Sequence, residues 1–316
     1  MARRSLRFTS RLSLLLGFAL LVAPSFAAAQ TPDDPELPAV EAPPELRAHL
    51  EVKLARSIKA LRNSNPEARA KYEQQVVEYG RAALPLLIEA CSTDHEGKQD
   101  GLLFCLEQLA DLRDRELVAA QVESEHALLR RFAARAAGRW LWPPLVESLP
   151  PLLDDADPGV RQEAALSLLA AGRDTGLAVL VEQATEPTGD RATDEQRARA
   201  DAVKQRVLAV LPGLAEHGDH RVLRDALRFD PELHRDDAAA HASTRRTAVQ
   251  MLAAVGDRVA VAALFDALDD THNLVQRDAI DGLRRLLENK EPFDGGSIFA
   301  QINEVKRLKE LGTGGG

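Results

Sequence analysis

A helical pattern that returns at a fixed interval along the chain constrains it more than any other feature. Its clearest copy is Asp154–Asp174, which reads DDADPGVRQEAALSLLAAGRD. Asp157 can cap a helix, because its carboxylate accepts the free N–H groups of the first turn, and Pro158 suits the first helical position. Apolar residues then recur at helical spacing up to Gly172, which favours the end of a helix. The stretch predicts one helix and a second that begins near Asp174.

The same pattern recurs on both sides of this stretch. Residues 244–256 and 271–286 align with it without gaps, and 129–138 aligns with Leu129 in the place of Val160. Helices of this length are not stable alone in water, so each must bury its apolar side against neighbours. A regular interval of this kind predicts a solenoid of stacked helix pairs. The apolar residues that close the second helices keep the same interval: Cys91, Val122 and Leu153.

The segment Asp155–Leu168 has the form D-x-D-P-x-V-R-x-x-A-A-x-x-L. This motif resembles the HEAT-like repeats, in the short form named after phycobilisome lyases, and weaker copies extend the resemblance over residues 66–290. The resemblance implies an all-α fold, a right-handed α-solenoid of about six to seven helix pairs. It implies almost nothing about function, because proteins of one fold do different things. Gln276 departs from the pattern, since the other copies have arginine there.

Residues 1–29 predict a secretory signal peptide. Arginines come first, then the apolar run Leu12–Val22, and then small residues that suit cleavage after Ala27 or Ala29. The apolar run is shorter than the roughly 20 residues that span a bilayer, so we favour cleavage over a retained anchor. The mature chain would then be exported, periplasmic or secreted, with no membrane insertion after cleavage.

Three segments follow the signal peptide. Residues 30–44 contain five prolines and several acids and predict a disordered tether. Residues 45–311 form the solenoid, and residues 312–316 a flexible tail. Within the solenoid the regular spacing breaks after residue 184, and residues 229–241 predict a polar insertion. We expect the last helix to cap the stack with a polar outer face, as terminal repeats do.

Net charge argues against nucleic acid as a partner. The formal charge is −9, and residues 1–30 contain four arginines and no acid, so a chain that starts at residue 31 would carry −13. Such a chain repels phosphate backbones, whereas proteins that bind nucleic acid present a basic surface. We therefore expect a protein or peptide partner and no nucleic acid.

The irregular region after residue 184 holds the best candidate for a metal site. Imidazole and carboxylate groups suit zinc or iron, and four of the eight histidines fall between positions 217 and 241. The simpler interpretation is two polar loops that bind no metal. No nucleophile elbow, phosphate loop or H-E-x-x-H motif occurs, so we predict neither enzymatic activity nor a cofactor. The four candidate ligands are His217, His220, His234 and His241.

Two further pairs of residues have both a functional and a structural interpretation. Cys91 and Cys105 are the two cysteines of the chain, and export would let them form a disulfide between neighbouring repeats. Cys91 stands where other copies have Val122 and Leu153, and Cys105 where they have Ala136 and Ser167, so both could be buried thiols instead. Trp140 and Trp142 lie just before a second helix, where tryptophan can form a binding hot spot or fill the turn between paired helices.

Regular stacking favours an interaction role. The second helices of such a stack form a long concave surface, which suits a protein or peptide more than a small molecule. We therefore expect a non-enzymatic protein–protein interaction scaffold of the cell envelope. The alternative is a metal-binding module or metal-dependent enzyme centred on residues 217–241. A third interpretation is a lyase-like or chaperone-like helper of another exported protein, which the family resemblance allows.

Overall fold

The computed structural model describes residues 37–61, 65–91, 100–185, 187, 192–214, 220–228, 238–294 and 297–313. These residues form α-helices and short 3₁₀ turns, and they contain no strand. The predicted signal peptide lies outside these ranges, as do residues 30–36 of the predicted tether and residues 314–316 of the predicted tail. No helix in these ranges is long and apolar enough to span a membrane.

The described helices stack as seven pairs behind a leading helix, α1 (Ala48–Ala60). The first helices of the pairs are α2 (Pro66–Val77), α4 (Asp100–Leu109), α6 (Ala127–Trp140), α8 (Pro158–Ala170), α10 (Asp194–Val210), α12 (Ala238–Val255) and α14 (Asn273–Glu288). The second helices are α3 (Leu84–Ala90), α5 (Arg115–Ala119), α7 (Pro143–Glu147), α9 (Leu177–Ala184), α11 (Arg221–Leu227), α13 (Arg258–Ala267) and α15 (Ile298–Thr313). Each first helix packs on the next in regular parts of the stack, as α6 does on α8 and α12 on α14. The architecture is an α-solenoid, as predicted.

Short 3₁₀ turns extend the second helices of the early pairs. They adjoin the short helices α3, α5 and α7, and one follows the end of α10. Turns of this kind are common at the ends of α-helices and as connectors. The turns are Gly80–Ala83, Leu112–Asp114, Ala120–Glu123, Pro150–Asp154 and Leu211–Leu214.

Local sequence signals set where the helices begin and end. The Asp157 carboxylate accepts the N–H of Val160 at 2.9 Å, and Asp257 accepts the N–H of Ala260 at 2.7 Å. Gly172 has φ of 75°, which glycine adopts without the steric cost that a Cβ would bring. The predicted start and end of α8 are thereby confirmed.

The apolar core runs along the stack, and its two parts meet in α8. Leu168 belongs to the part nearer the N terminus and Leu169 to the other, and both side chains are buried. Close approach by α9 depends on Gly176, since a Cβ there would lie 2.6 Å from the Cα of Ala165. Helix α8 therefore joins the two parts of the solenoid.

A ladder of arginine and aspartate side chains links successive turns. Arg130 donates to Asp155 at 2.6 Å, and Arg245 donates to Asp270 at 2.7 Å, each pair being 25 residues apart. Gln276, which replaces an arginine, donates instead to the backbone carbonyl of Asp270 at 2.8 Å. The last pair thus has a hydrogen bond to a backbone carbonyl in place of an arginine–aspartate pair.

Two expectations about the C-terminal half need correction. Helix α12 begins at Ala238, so the polar insertion predicted for 229–241 ends earlier than expected. Helix α15 buries Leu308 against the stack, but its outer face is not wholly polar, because Ile298 and Phe299 are 72% and 80% exposed. The capping helix therefore leaves apolar surface at its start.

Candidate functional site

Residues 37–44, here called the strap, lie across the turns within the first two pairs. Arg81 donates to the carbonyl of Glu41 at 2.7 Å, and the Glu41 N–H donates to the carbonyl of Arg113 at 3.2 Å. Further along, Arg115 donates to the carbonyl of Pro38 at 2.6 Å. The prediction of disorder is therefore wrong for 37–44, because arginines of the solenoid bind backbone groups of this proline-rich segment.

A buried carboxylate holds Arg81 in position for this contact. The Asp114 side chain has no exposed surface, and Arg81 donates to its two oxygens through Nε at 2.9 Å and Nη2 at 2.7 Å. This hydrogen bonding raises the pKa of the Arg81 guanidinium. The same guanidinium also reaches the Glu41 carboxylate at 3.2 Å through Nη1. Because Asp114 fixes the guanidinium in advance, binding the strap orders few additional rotamers.

The predicted tryptophans differ in their relation to the strap. The Arg115 guanidinium carbon lies 5.8 Å from the centre of the Trp142 ring, so Trp142 supports a side chain that binds the strap. Trp140 instead lies 5.4 Å from the guanidinium carbon of Arg139. Both rings are half-buried against the core. Leu141, between them, has φ of 50° and ends α6.

The four predicted metal ligands are not brought together among the described residues. His217 and His234 lie outside those residues, and His241 lies in α12. His220 is buried, and its Nε2 lies 2.8 Å from a carboxylate oxygen of Asp257. No group of three His, Cys, Asp or Glu residues within the described ranges could hold a metal ion. The metal site stays a prediction. His220 contacts Asp257, the residue that caps α13.

The two cysteines are separate buried thiols in the structure and are not joined by a disulfide. Cys91 follows the end of α3, whereas Cys105 faces α2, with its Sγ 3.9 Å from the carbonyl oxygen of Glu73. Burial raises the pKa of both thiols to about 12. The structure therefore fits the second interpretation, in which both residues are buried thiols.

A row of charges along the first helices was not predicted. Glu163 is buried, with its side chain 2% exposed, and it accepts hydrogen bonds from Arg135 at 2.8 Å and from Arg206 at 2.7 Å. Burial alone would raise the pKa of Glu163, but the two arginines outweigh it and the pKa is lowered. Arg135 also binds Glu107 at 2.8 Å. The sequence contains one indication of this row, because Arg135 is 28 residues from Glu107 and 28 residues from Glu163, so the three charges recur at a constant spacing.

Comparison with known proteins agrees with this architecture. Residues 115–200, from α5 into α10, match the family model described as HEAT repeats. The match lies in the middle of the chain and covers 115–200 alone. Its described helix pairs outside 115–200 continue the same stack.

Two solved structures show a distant likeness to the chain. YibA of Escherichia coli is 17% identical with a TM-score of 0.43, over 84% of this chain and 100% of that one. Human deoxyhypusine hydroxylase, solved in complex with glycerol, is 18% identical with a TM-score of 0.30, over 76% of this chain and 97% of that one. No curated protein sequence matches the chain. These likenesses carry no argument about function.

Proposed function

We propose that this chain is a non-enzymatic scaffold of the cell envelope that binds extended segments of other proteins. The observation that carries the proposal is the strap, an extended proline-rich segment already bound to the solenoid. Arg81 and Arg115 recognise it through the carbonyls of Glu41 and Pro38. Backbone recognition of this kind does not depend on one side-chain sequence, so it suits segments of other proteins.

The edge of the solenoid that binds the strap, here called the strap edge, offers further contacts beyond the strap itself. Trp142 belongs to the third pair and lies beside Arg115, which already holds Pro38. An extended segment that follows the turns would therefore meet the half-buried indole ring next. Tryptophan and arginine are the residue types that dominate binding energy at protein interfaces. A partner segment would bind along this edge, beside the strap or in its place.

Capture of envelope proteins by the tagged mature chain tests this proposal. Arg115→Gln removes the contact to Pro38, and Arg228→Gln, whose side chain is 83% exposed in the fifth pair, is the matched control. We expect a partner that the wild type and the control capture but Arg115→Gln loses. Equal capture by all three proteins would refute a role for the strap edge.

Export is a separate part of the proposal with its own test. Residues 1–44 fused to alkaline phosphatase in a bacterial host should give an active enzyme, because its disulfides form only in an oxidising compartment. The matched fusion that starts at residue 31 should be inactive. An active fusion without residues 1–30 would contradict the signal-peptide interpretation.

A further inference from the structure

Regular stacking loosens between α8 and α10. Helix α8 packs closely on α6, but α10 packs mainly on α9. The loosened contact leaves a groove with a volume of about 580 Å³ at the edge where α8 and α10 begin. A break of this kind in an otherwise regular repeat is where a functional site is expected.

One arginine in this groove is poorly paired. The closest carboxylate contact of Arg131 is 3.8 Å, from Nη2 to Glu163, which is too long for a hydrogen bond. Its Nε is buried and has no hydrogen-bond partner within the described structure. Gly159 lies beside this guanidinium, since a Cβ there would be in ordinary van der Waals contact with its central carbon at 3.6 Å. The Arg131 side chain as a whole is 33% exposed, so the rest of its guanidinium can donate to a ligand in the groove.

A second arginine faces the same groove from α10. Arg199 lines it and is exposed, and no carboxylate among the described residues pairs with it. Its neighbour Arg197, two residues earlier on the same helix, is paired with Asp194 at 3.2 Å. The unpaired arginine therefore lies on the groove side of α10, and the paired one does not line the groove.

Carboxylates near the groove are already engaged. Asp157 caps α8 through the N–H of Val160, and Glu163 is held by Arg135 and Arg206. The groove therefore presents Arg199, which no described carboxylate pairs with, and Arg131, whose closest carboxylate, Glu163, is shared with Arg135 and Arg206. This is unusual on a chain with a formal charge of −9.

We infer that this groove binds an acidic segment of the partner protein, with one carboxylate held between Arg131 and Arg199. A guanidinium group matches a carboxylate in shape and charge, and such hydrogen bonds are among the strong ones. The inference rests on the proposed function, since it names a chemical class of partner segment. The groove lies at the turns between pairs, whereas the strap lies at the turns within pairs.

The test is titration of a fluorescent ten-residue peptide of alternating glutamate and glycine with the full mature chain at low salt. A matched peptide with glutamine in place of glutamate is the neutral control. We expect fluorescence anisotropy to rise for the acidic peptide only. Arg199→Gln should weaken binding about tenfold or more, because a charge-assisted hydrogen bond contributes at least that factor.

Two further variants complete the test. Arg131→Gln should weaken binding by a similar factor, and Arg197→Gln, next to Arg199 but outside the groove, should change the affinity less than twofold. Equal binding by Arg199→Gln and Arg197→Gln, equal binding of the two peptides, or no binding of the acidic peptide would each overturn the inference. Partner capture with Arg115→Gln is a separate experiment. If capture depends on Arg115 while the acidic peptide does not bind, the proposed scaffold function is supported and the groove site is refuted.

Discussion

Replacing Glu163 by glutamine tests whether the row of charges stabilises the middle of the stack. The carboxylate is 2% exposed, while Arg135 and Arg206 are 27% and 44% exposed. Glutamine keeps the shape but turns an N–H₂ group toward one guanidinium, so donor faces donor and a buried charge pair is lost. Breaking a buried pair costs about 3–5 kcal/mol, but both arginines can rehydrate in part, so we expect about 2 kcal/mol.

Thermal unfolding followed by circular dichroism at pH 7 measures this cost. A loss of this size should lower Tm by about 4 °C in a chain of this length. Glu107→Gln is the matched control, because this carboxylate is 27% exposed and binds the same Arg135. An exposed pair contributes about 0.5 kcal/mol, so the control should lower Tm by about 1 °C. Equal Tm values for wild type and Glu163→Gln would refute the stabilising role of the buried carboxylate.

The pH dependence gives an independent check on Glu163. Its pKa in the folded chain lies below its ordinary value of 4.5. A group of this kind stabilises the fold at pH values above its unfolded pKa, and that stabilisation is lost as the pH falls through the folded pKa. The difference in stability between wild type and Glu163→Gln should therefore be constant above about pH 5.5 and shrink below about pH 4. A difference that grows on acidification would contradict this sign.

Three further outcomes follow from packing and burial. Gly176→Ala should cost about 2 kcal/mol in urea unfolding, because the new methyl group collides with the backbone of Ala165, and an unchanged urea midpoint would contradict the close contact. Cys91 and Cys105 should both resist a thiol reagent in the folded chain at pH 8, since burial raises their pKa to about 12, and without reductant two thiols per chain should react in denaturant. No reactive thiol in denaturant would instead indicate the disulfide. Trp142→Ala should lower both Tm and partner capture, and intact capture with a lower Tm would leave the ring a packing role alone.

Helix starts were predictable because their signals are local. Asn65 precedes a proline that begins α2, and Asp157 precedes one that begins α8; each carboxylate or amide oxygen binds N–H groups two or three residues ahead. The fixed interval of the repeat then places each pair on the previous one. Such information lies within one repeat, so the sequence carries it directly.

The strap and the buried Glu163 depend on residues far away in the chain. Arg115 and Pro38 are 77 residues apart, and Arg206 and Glu163 are 43 apart, an interval that no repeat period supplies. The composition of a segment rich in proline and acid indicates disorder, because composition takes no account of contacts with residues elsewhere in the fold. Glutamate is also among the residues least often buried, so nothing in its identity indicates that position 163 is enclosed.

Pairing separates the structural arginines of this solenoid from those that we assign to binding. Arg130 and Arg245 each hold an aspartate at the same register of the ladder, so their removal should loosen the stack whatever the partner. Arg199 has no such partner among the described residues, so its charge adds nothing to folding that the structure shows. A substitution at Arg199 that lowers affinity while leaving Tm unchanged would identify recognition alone. A substitution at Arg130 that lowers Tm while leaving affinity unchanged would identify a structural role. Both results together would show that arginines of this solenoid divide into structural and binding residues.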